Sequence, residues 1–95
     1  MRLRARTDSN HAEVMKALRQ IGCSVWSTHQ VGKGFPDLIW ARNGITGLIE
    51  VKDGGKAPSA RALTEDELKF KQDWRGLVHV ALTPQDAVQH VLNQM

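Results

Sequence analysis

Two short segments of this chain carry side chains that could do chemistry together. Pro36-Asp37 opens an apolar run, Phe35-Pro-Asp-Leu-Ile-Trp40, and thirteen residues beyond Asp37 comes Glu50-Val51-Lys52, closing a second apolar run that begins at Gly47. Carboxylates and an ammonium within otherwise apolar strands are costly to desolvate unless an opposite charge compensates them. A divalent cation does so, and hard carboxylate oxygens suit Mg²⁺ or Mn²⁺. Such an ion polarises a phosphoryl oxygen and activates a water, while a neighbouring lysine stabilises developing negative charge. The residue set therefore points to phosphodiester hydrolysis.

The elements that must position these groups can be read from the same stretch. Asn43-Gly44 is a strong hairpin signal, so strands are predicted over residues 36–42 and 46–52. A two-residue turn pairs Arg42 with Ile45 and sets Asp37 opposite Glu50, with Cβ atoms about 4.5–5.5 Å apart. A four-residue turn would set Asp37 opposite Lys52 instead. In either register the three side chains share one face, because strand side chains alternate; a three- or five-residue turn would separate them. The other face carries Leu38, Trp40, Ile49 and Val51 and needs a helix over it, while Ile39 and Leu48 make the charged face partly apolar.

Around this hairpin, Asp8-Ser9-Asn10 offers caps to a helix running to about Ile21, with an apolar stripe of Val14, Met15, Leu18 and Ile21 and a stop at Gly22. A short strand is predicted around Val25-Trp26. A Gly/Pro/Ser loop spans 53–62. Thr64-x-x-Glu67 is a capping box opening a helix that ends near Trp74. Leu77–Leu82 has the composition of a strand covered on both faces, and Thr83-Pro84 starts a last helix with Val88, Val91, Leu92 and Met95 inward. The order is α-β-β-β-α-β-α. A helical crossover makes strands 46–52 and 77–82 parallel, giving an α/β fold with a mixed central sheet flanked by helices. Residues 1–7 read as a basic arm and 8–95 as one domain.

The 95 residues leave room for one modest core, and 41% hydrophobic with 24% charged residues is ordinary for a globular chain. A net charge of +3 fits an anionic partner without demanding one. Lys33, Lys56 and Arg61 form a set of nucleic-acid backbone contacts, while Arg4 and Arg6 of the arm read either as a solvated tail or as further phosphate contacts. Cys23 is the single cysteine, expected as a buried, inert thiol in a reducing compartment. No apolar run has membrane-spanning length and no signal-peptide core is visible, so an intracellular, cytoplasmic protein with no membrane partner is expected. His11, His29, His79 and His90 lack zinc-ligand spacing. Trp26, Trp40 and Trp74 are spaced like core residues.

These residues resemble the PD-(D/E)XK nuclease superfamily, read here as Pro36-Asp37 … Glu50-x-Lys52. Asp8-x-Asn10-x-x-Glu13, Gly32-x-Gly34-x-Pro36-Asp37-Leu38-Ile39, Leu48–Gly54 and Leu63-Thr64 together resemble its VRR-NUC branch, over roughly residues 7–83. The small stand-alone members of that branch, many of them phage-encoded, are similar to archaeal Holliday junction resolvases. The resemblance implies a restriction-endonuclease-like αβββαβ core. It implies a Mg²⁺- or Mn²⁺-dependent DNA endonuclease selective for branched DNA, acting as a homodimer in a bacterial or phage-infected cell. It also implies metal ligation by Asp37, Glu50 and the Val51 carbonyl, a catalytic Lys52, and a first-helix site residue at Glu13. The Asn10–Glu13 spacing equally makes Glu13 a capping residue. Where many relatives carry Gln early in the helix after Glu-x-Lys, this chain has Glu67, with Gln72 farther along. The alternative is a nucleic-acid-binding module that keeps the fold without cutting, against which the intact Asp37/Glu50/Lys52 set argues.

Overall fold

A computed structural model describes residues 10–94. The basic arm with Arg4 and Arg6, the caps Asp8 and Ser9, and Met95 lie outside the described residues. The element order is α1 (His11–Gln20), β1 (Ser24–Ser27), β2 (Leu38–Arg42), β3 (Ile45–Val51), a 3₁₀ turn (Pro58–Ala60), α2 (Glu65–Asp73), β4 (Val78–Ala81) and α3 (Pro84–Leu92). The strands form one sheet in the order β1-β2-β3-β4, antiparallel except for the parallel β3–β4 pair. This is the expected α/β class with a mixed sheet.

The hairpin sets the register. Asn43 (φ 52°) and Gly44 (φ 81°) both take left-handed conformations, the requirement of a two-residue type I′ turn, which matches the twist of the flanking strands. Arg42 pairs with Ile45 and Leu38 with Ile49, so Asp37 falls opposite Glu50. Gly47 pairs with Trp40, and a Cβ there would lie 2.8 Å from the indole. The glycine is the space into which Trp40 packs.

Leu38, Trp40, Ile49 and Val51 are buried together with Val14 and Leu18 of α1, Val25 of β1 and Ala87 and Val91 of α3. α1 and α3 therefore cover this face of the sheet. α1 ends as its sequence indicates. Gly22 (φ 93°) follows the last turn, its N–H bonding Arg19 O (3.0 Å), and Cys23 N–H reaches back to Leu18 O (3.0 Å). This is a Schellman arrangement that satisfies the terminal carbonyls. Cys23 is buried, and burial raises its thiol pKa despite the nearby Arg42 charge, so it is an unreactive core residue.

Four expectations are corrected. Trp26 and Trp74 are not core residues: Trp26 is 73% and Trp74 43% exposed, and Trp40 alone of the three is buried. Trp26 follows the inward Val25 on β1, so alternation turns it to the opposite face, where no helix covers it. Leu92 is exposed, because α3 presents Ala87 and Val91 to the core. β4 is half-buried over most of its length, not covered on both faces, since the helical crossover leaves it as the outer strand of the sheet. Asn10 occupies the N-cap place of α1, but its side chain makes no cap bond. At the other sheet edge, Arg19 Nη2 donates to Val25 O (3.0 Å), occupying a carbonyl that would otherwise invite strand addition.

Where α3 packs on β4, His79 Nε2 bonds Asp86 Oδ1 (2.9 Å), and the His79 and His90 rings stack at 4.1 Å with an interplanar angle of 5°. His90 also meets the Trp40 indole edge-on, and its Nε2 is buried with no partner among the described residues. Burial chiefly, then the neighbouring His79, lowers the His90 pKa, with Asp86 opposing. An unfolded histidine takes up its proton near pH 6.5, whereas folded His90 resists it. Stability is therefore lost as pH falls below that value. Replacing the titratable ring by a benzene ring in His90→Phe should reduce the loss of urea-midpoint stability between pH 7 and pH 5. Equal losses in the two proteins would contradict this account.

Candidate active site

Asp37 lies just before β2 and is held on every side. Its carbonyl accepts the Thr28 N–H (2.7 Å), continuing the β1–β2 ladder, and its Oδ2 accepts the Val51 N–H (2.8 Å). Thr28 Oγ1 donates to the preceding carbonyl of Pro36 (2.7 Å). Glu50, opposite on β3, is 6% exposed. Lys52 continues the strand, its N–H bonding Ala81 O (2.9 Å), and its Nζ lies 3.5 Å from Glu50 Oε2. The hairpin thus brings Asp37, Glu50 and Lys52 together on one face, as the two-residue turn requires.

A fourth charged group arrives from α2. Glu67 Oε1 accepts from Lys52 Nζ (2.9 Å) and from the Thr64 N–H (2.8 Å), while Thr64 Oγ1 accepts the Glu67 N–H (3.2 Å). The capping box forms as expected, and its acid reaches the site with the same oxygen. Two contacts dock α2 over this face. At Gly34 (φ 81°) a Cβ would collide with the Asp66 carbonyl and lie 2.8 Å from Glu67 N, so only glycine lets the loop before Asp37 lie under the first turn of α2. Phe35 then meets Phe70 edge-on at 5.1 Å.

Among the described residues the cluster contains three carboxyl groups, Asp37, Glu50 and Glu67, and the Lys52 ammonium. Glu50 is pushed up to about 9, first by burial, then by its hydrogen bond to Glu67 and the Asp37 and Glu67 charges, with Lys52 opposing. Asp37 is also raised by burial, against the hydrogen bonds from Val51 and Glu50. Burial raises Glu67 too, but hydrogen bonds from Glu50, Thr64 and Lys52 outweigh it and hold Glu67 below the usual range. Burial, with Glu67 and Asp37 beside it, thus favours the protonated form of Glu50 at neutral pH. That is the donor chemistry a divalent cation fits: binding displaces the proton from a carboxyl. Among the described residues no group of three or more His, Cys, Asp or Glu side chains is arranged as a metal cage. A cation here would rely on Asp37 and Glu50 with water, backbone or phosphate oxygens, a mode suited to Mg²⁺.

The other anticipated residues do not join the cluster. Glu13 is exposed on α1, and no hydrogen bond or ion pair involves it among the described residues. The buried face of that first turn presents His11 instead, whose Nε2 lies 3.4 Å from Asp37 O. The Val51 N–H serves Asp37, as given above. Lys33 (φ 56°) and Lys56 are exposed, as a phosphate contact requires. Arg61 is half-buried and donates from Nη1 to Gly54 O (2.8 Å), bracing its own loop. Gln72 is exposed, and Glu67 fills the position beside Lys52. The sequence signal for Glu67 was present but already explained by its cap. No helix is long and apolar enough to cross a membrane among the described residues. Comparison with family models, characterised proteins and solved structures found no significant match to this chain.

The proton on Glu50 has a measurable consequence. The unfolded carboxyl ionises near its ordinary value of 4.5, the folded one only near about 9. The stability it contributes is complete below the lower value and is lost as pH rises toward the upper one. In buffer containing a chelator, wild type should lose more stability from pH 5 to pH 9 than Glu50→Gln, read from thermal midpoints. Parallel pH profiles for the two proteins would refute the assignment.

Proposed function

We propose that this protein is a divalent-metal-dependent endonuclease of the PD-(D/E)XK type, VRR-NUC branch, hydrolysing phosphodiester bonds in DNA. The observation that carries the reading is Asp37 opposite a buried, proton-retaining Glu50, with Lys52 on the same face of the hairpin. Asp37 and Glu50 would hold Mg²⁺ or Mn²⁺, with the Val51 carbonyl as a further ligand. When bound, the ion polarises the scissile phosphate and lowers the pKa of an attacking water. The protein's own groups orient and neutralise. The Val51 N–H and the Asp37–Glu50 contact fix the two carboxylates. Lys52, held by Glu67, offers positive charge to the pentacovalent phosphate. Lys33 and Lys56 meet the nucleic-acid backbone from exposed positions. Selectivity for branched DNA is part of the proposal through the resemblance to junction resolvases.

Cleavage of four-way junction, flap, single-stranded and duplex DNA with Mg²⁺ or Mn²⁺ tests the reading. Glu50→Gln should abolish cutting, and Lys52→Ala should lower kcat by about 10²–10³-fold, the range for loss of one charge-stabilising donor. Full activity of Lys52→Ala, or cutting in a chelator, would sink the mechanism. Tight junction binding with no cleavage under any metal would favour a non-catalytic binding module.

The exposed Trp26 and the exposed Trp74 ring, stacked on Phe70 at 5.2 Å, support a homodimer whose interface includes these side chains. Exposed aromatic side chains are enriched at protein contacts. Sedimentation should show a dimer for wild type and a shift to monomer in Trp74→Ser. A monomeric wild type at micromolar concentration would remove this part of the proposal.

A further inference from the structure

Two adjacent residues on the first turn of α1 reach the two strands that carry the site. Asn10 stands where a helix cap belongs, yet its Nδ2 gives its hydrogens to Lys52 O (3.1 Å) and Leu82 O (3.2 Å). Those carbonyls belong to the residues that directly follow β3 and β4. Beyond this point the two parallel strands are joined by Lys52 N–H to Ala81 O and Gly54 N–H to Leu82 O, both 2.9 Å. The Asn10 amide closes the sheet at its end. Its orientation is set by chemistry, because turning the amide over would place Oδ1 against two carbonyl oxygens. Oδ1 itself is buried with no donor among the described residues. His11, the next residue, is 7% exposed and directs Nε2 at Asp37 O at 3.4 Å, a long bond that requires the proton on Nε2.

We propose that Asn10 and His11 are positioning residues that set Lys52 and Asp37 relative to one another. Lys52 carries its ammonium at the end of a flexible stem, so Nζ has a defined place only if the backbone beneath it is fixed and its tip is pinned. Glu67 and Glu50 pin the tip, while Ala81 and Asn10 fix the peptide on its two sides. Asp37 is held at two points: its carbonyl oxygen accepts from both the Thr28 N–H and His11 Nε2, and its carboxylate accepts the Val51 N–H. One turn of helix thus spans both carriers of the site and fixes their separation. The kinetic consequence rests on the nuclease reading; the geometric one does not. For a group placed to act on a reacting phosphate, a displacement of about 1 Å costs on the order of 10²-fold in rate.

Two measurements on the full chain test this. The first is the ¹⁵N–¹H NMR signal of the Lys52 ammonium, identified by its absence in Lys52→Ala and recorded at low temperature on variants shown by circular dichroism to be folded. The second is cleavage kinetics. Asn10→Asp is isosteric but turns oxygens toward both carbonyls, so it should lose the protected ammonium signal and lower kcat by about 10²-fold at unchanged KM. Asn10→Ala should show a smaller loss. His11→Gln keeps a donor and should retain more activity than His11→Ala. If Asn10→Asp does not fold, Asn10→Ala and Asn10→Ser carry the same comparison. A folded Asn10 variant with the wild-type ammonium signal would overturn the proposal, whatever its melting temperature. If wild type cuts no nucleic acid, the nuclease reading falls, and the ammonium signal still decides the clamp.

Discussion

The two-residue turn at Asn43-Gly44 is the constraint on which the rest of the molecule depends. Both residues are left-handed, and a turn of that hand matches the strand twist. Its length sets the pairing of β2 with β3, and a slip of one residue would reverse every side chain on a strand. Leu38, Trp40, Ile49 and Val51 would leave the core, and the charged residues would enter it. The hydrophobic core and the charged cluster are therefore two faces of one register. Burial of the first enforces the alignment of the second. Gly47 belongs to the same logic, since the space for Trp40 exists only opposite that residue in this register.

The charged face is poised and incompletely compensated. Glu50 and Glu67 share Lys52, Asp37 adds a third carboxyl beside them, and a proton on Glu50 relieves the excess negative charge. A buried acid that keeps its proton near neutral pH adds nothing useful to a surface ion-pair cluster, where solvent would screen the repulsion. It has a use where another cation is to take the proton's place. The same excess explains why Lys52 is bound by Glu67 as well as Glu50: among the described residues its ammonium is the one positive side chain paired with these acids.

α2 and α1 contribute to this arrangement differently. α2 delivers a side chain, Glu67, through a docking that depends on Gly34 lying under its first turn and Phe35 against Phe70. α1 delivers bonds to the main chain, from Asn10 to Lys52 and from His11 to Asp37. Both act through their N-terminal turns, so the two faces of the sheet are braced at the end where the charges lie. Trp26 and Trp74 are both exposed, and the Trp74 ring lines a hollow with Phe35, Ile39 and Leu48.

The sequence by itself determined the hairpin, the order of elements, the parallel β3–β4 pair and the sharing of one face by Asp37, Glu50 and Lys52. These follow from local signals: turn chemistry, period-two alternation and caps act over a few residues, and their geometry is nearly independent of the remaining chain. The structure chose the two-residue turn and so the register that sets Asp37 opposite Glu50. Only the tertiary structure decided which residues join that trio. Glu67 looked complete as a capping residue, and nothing local says that one oxygen can serve both a cap and Lys52. Glu13 and His11 lie on the same turn of α1, so the choice between them rests on how the helix is rotated against the sheet, which long-range packing of Val14 and Leu18 sets. Asn10 had every mark of a cap, but the carbonyls it bonds are 42 and 72 residues away in sequence. Trp26 and Trp74 left the core for the same reason: apolar spacing records which residues could be covered, and only the placement of the helices settles which ones are.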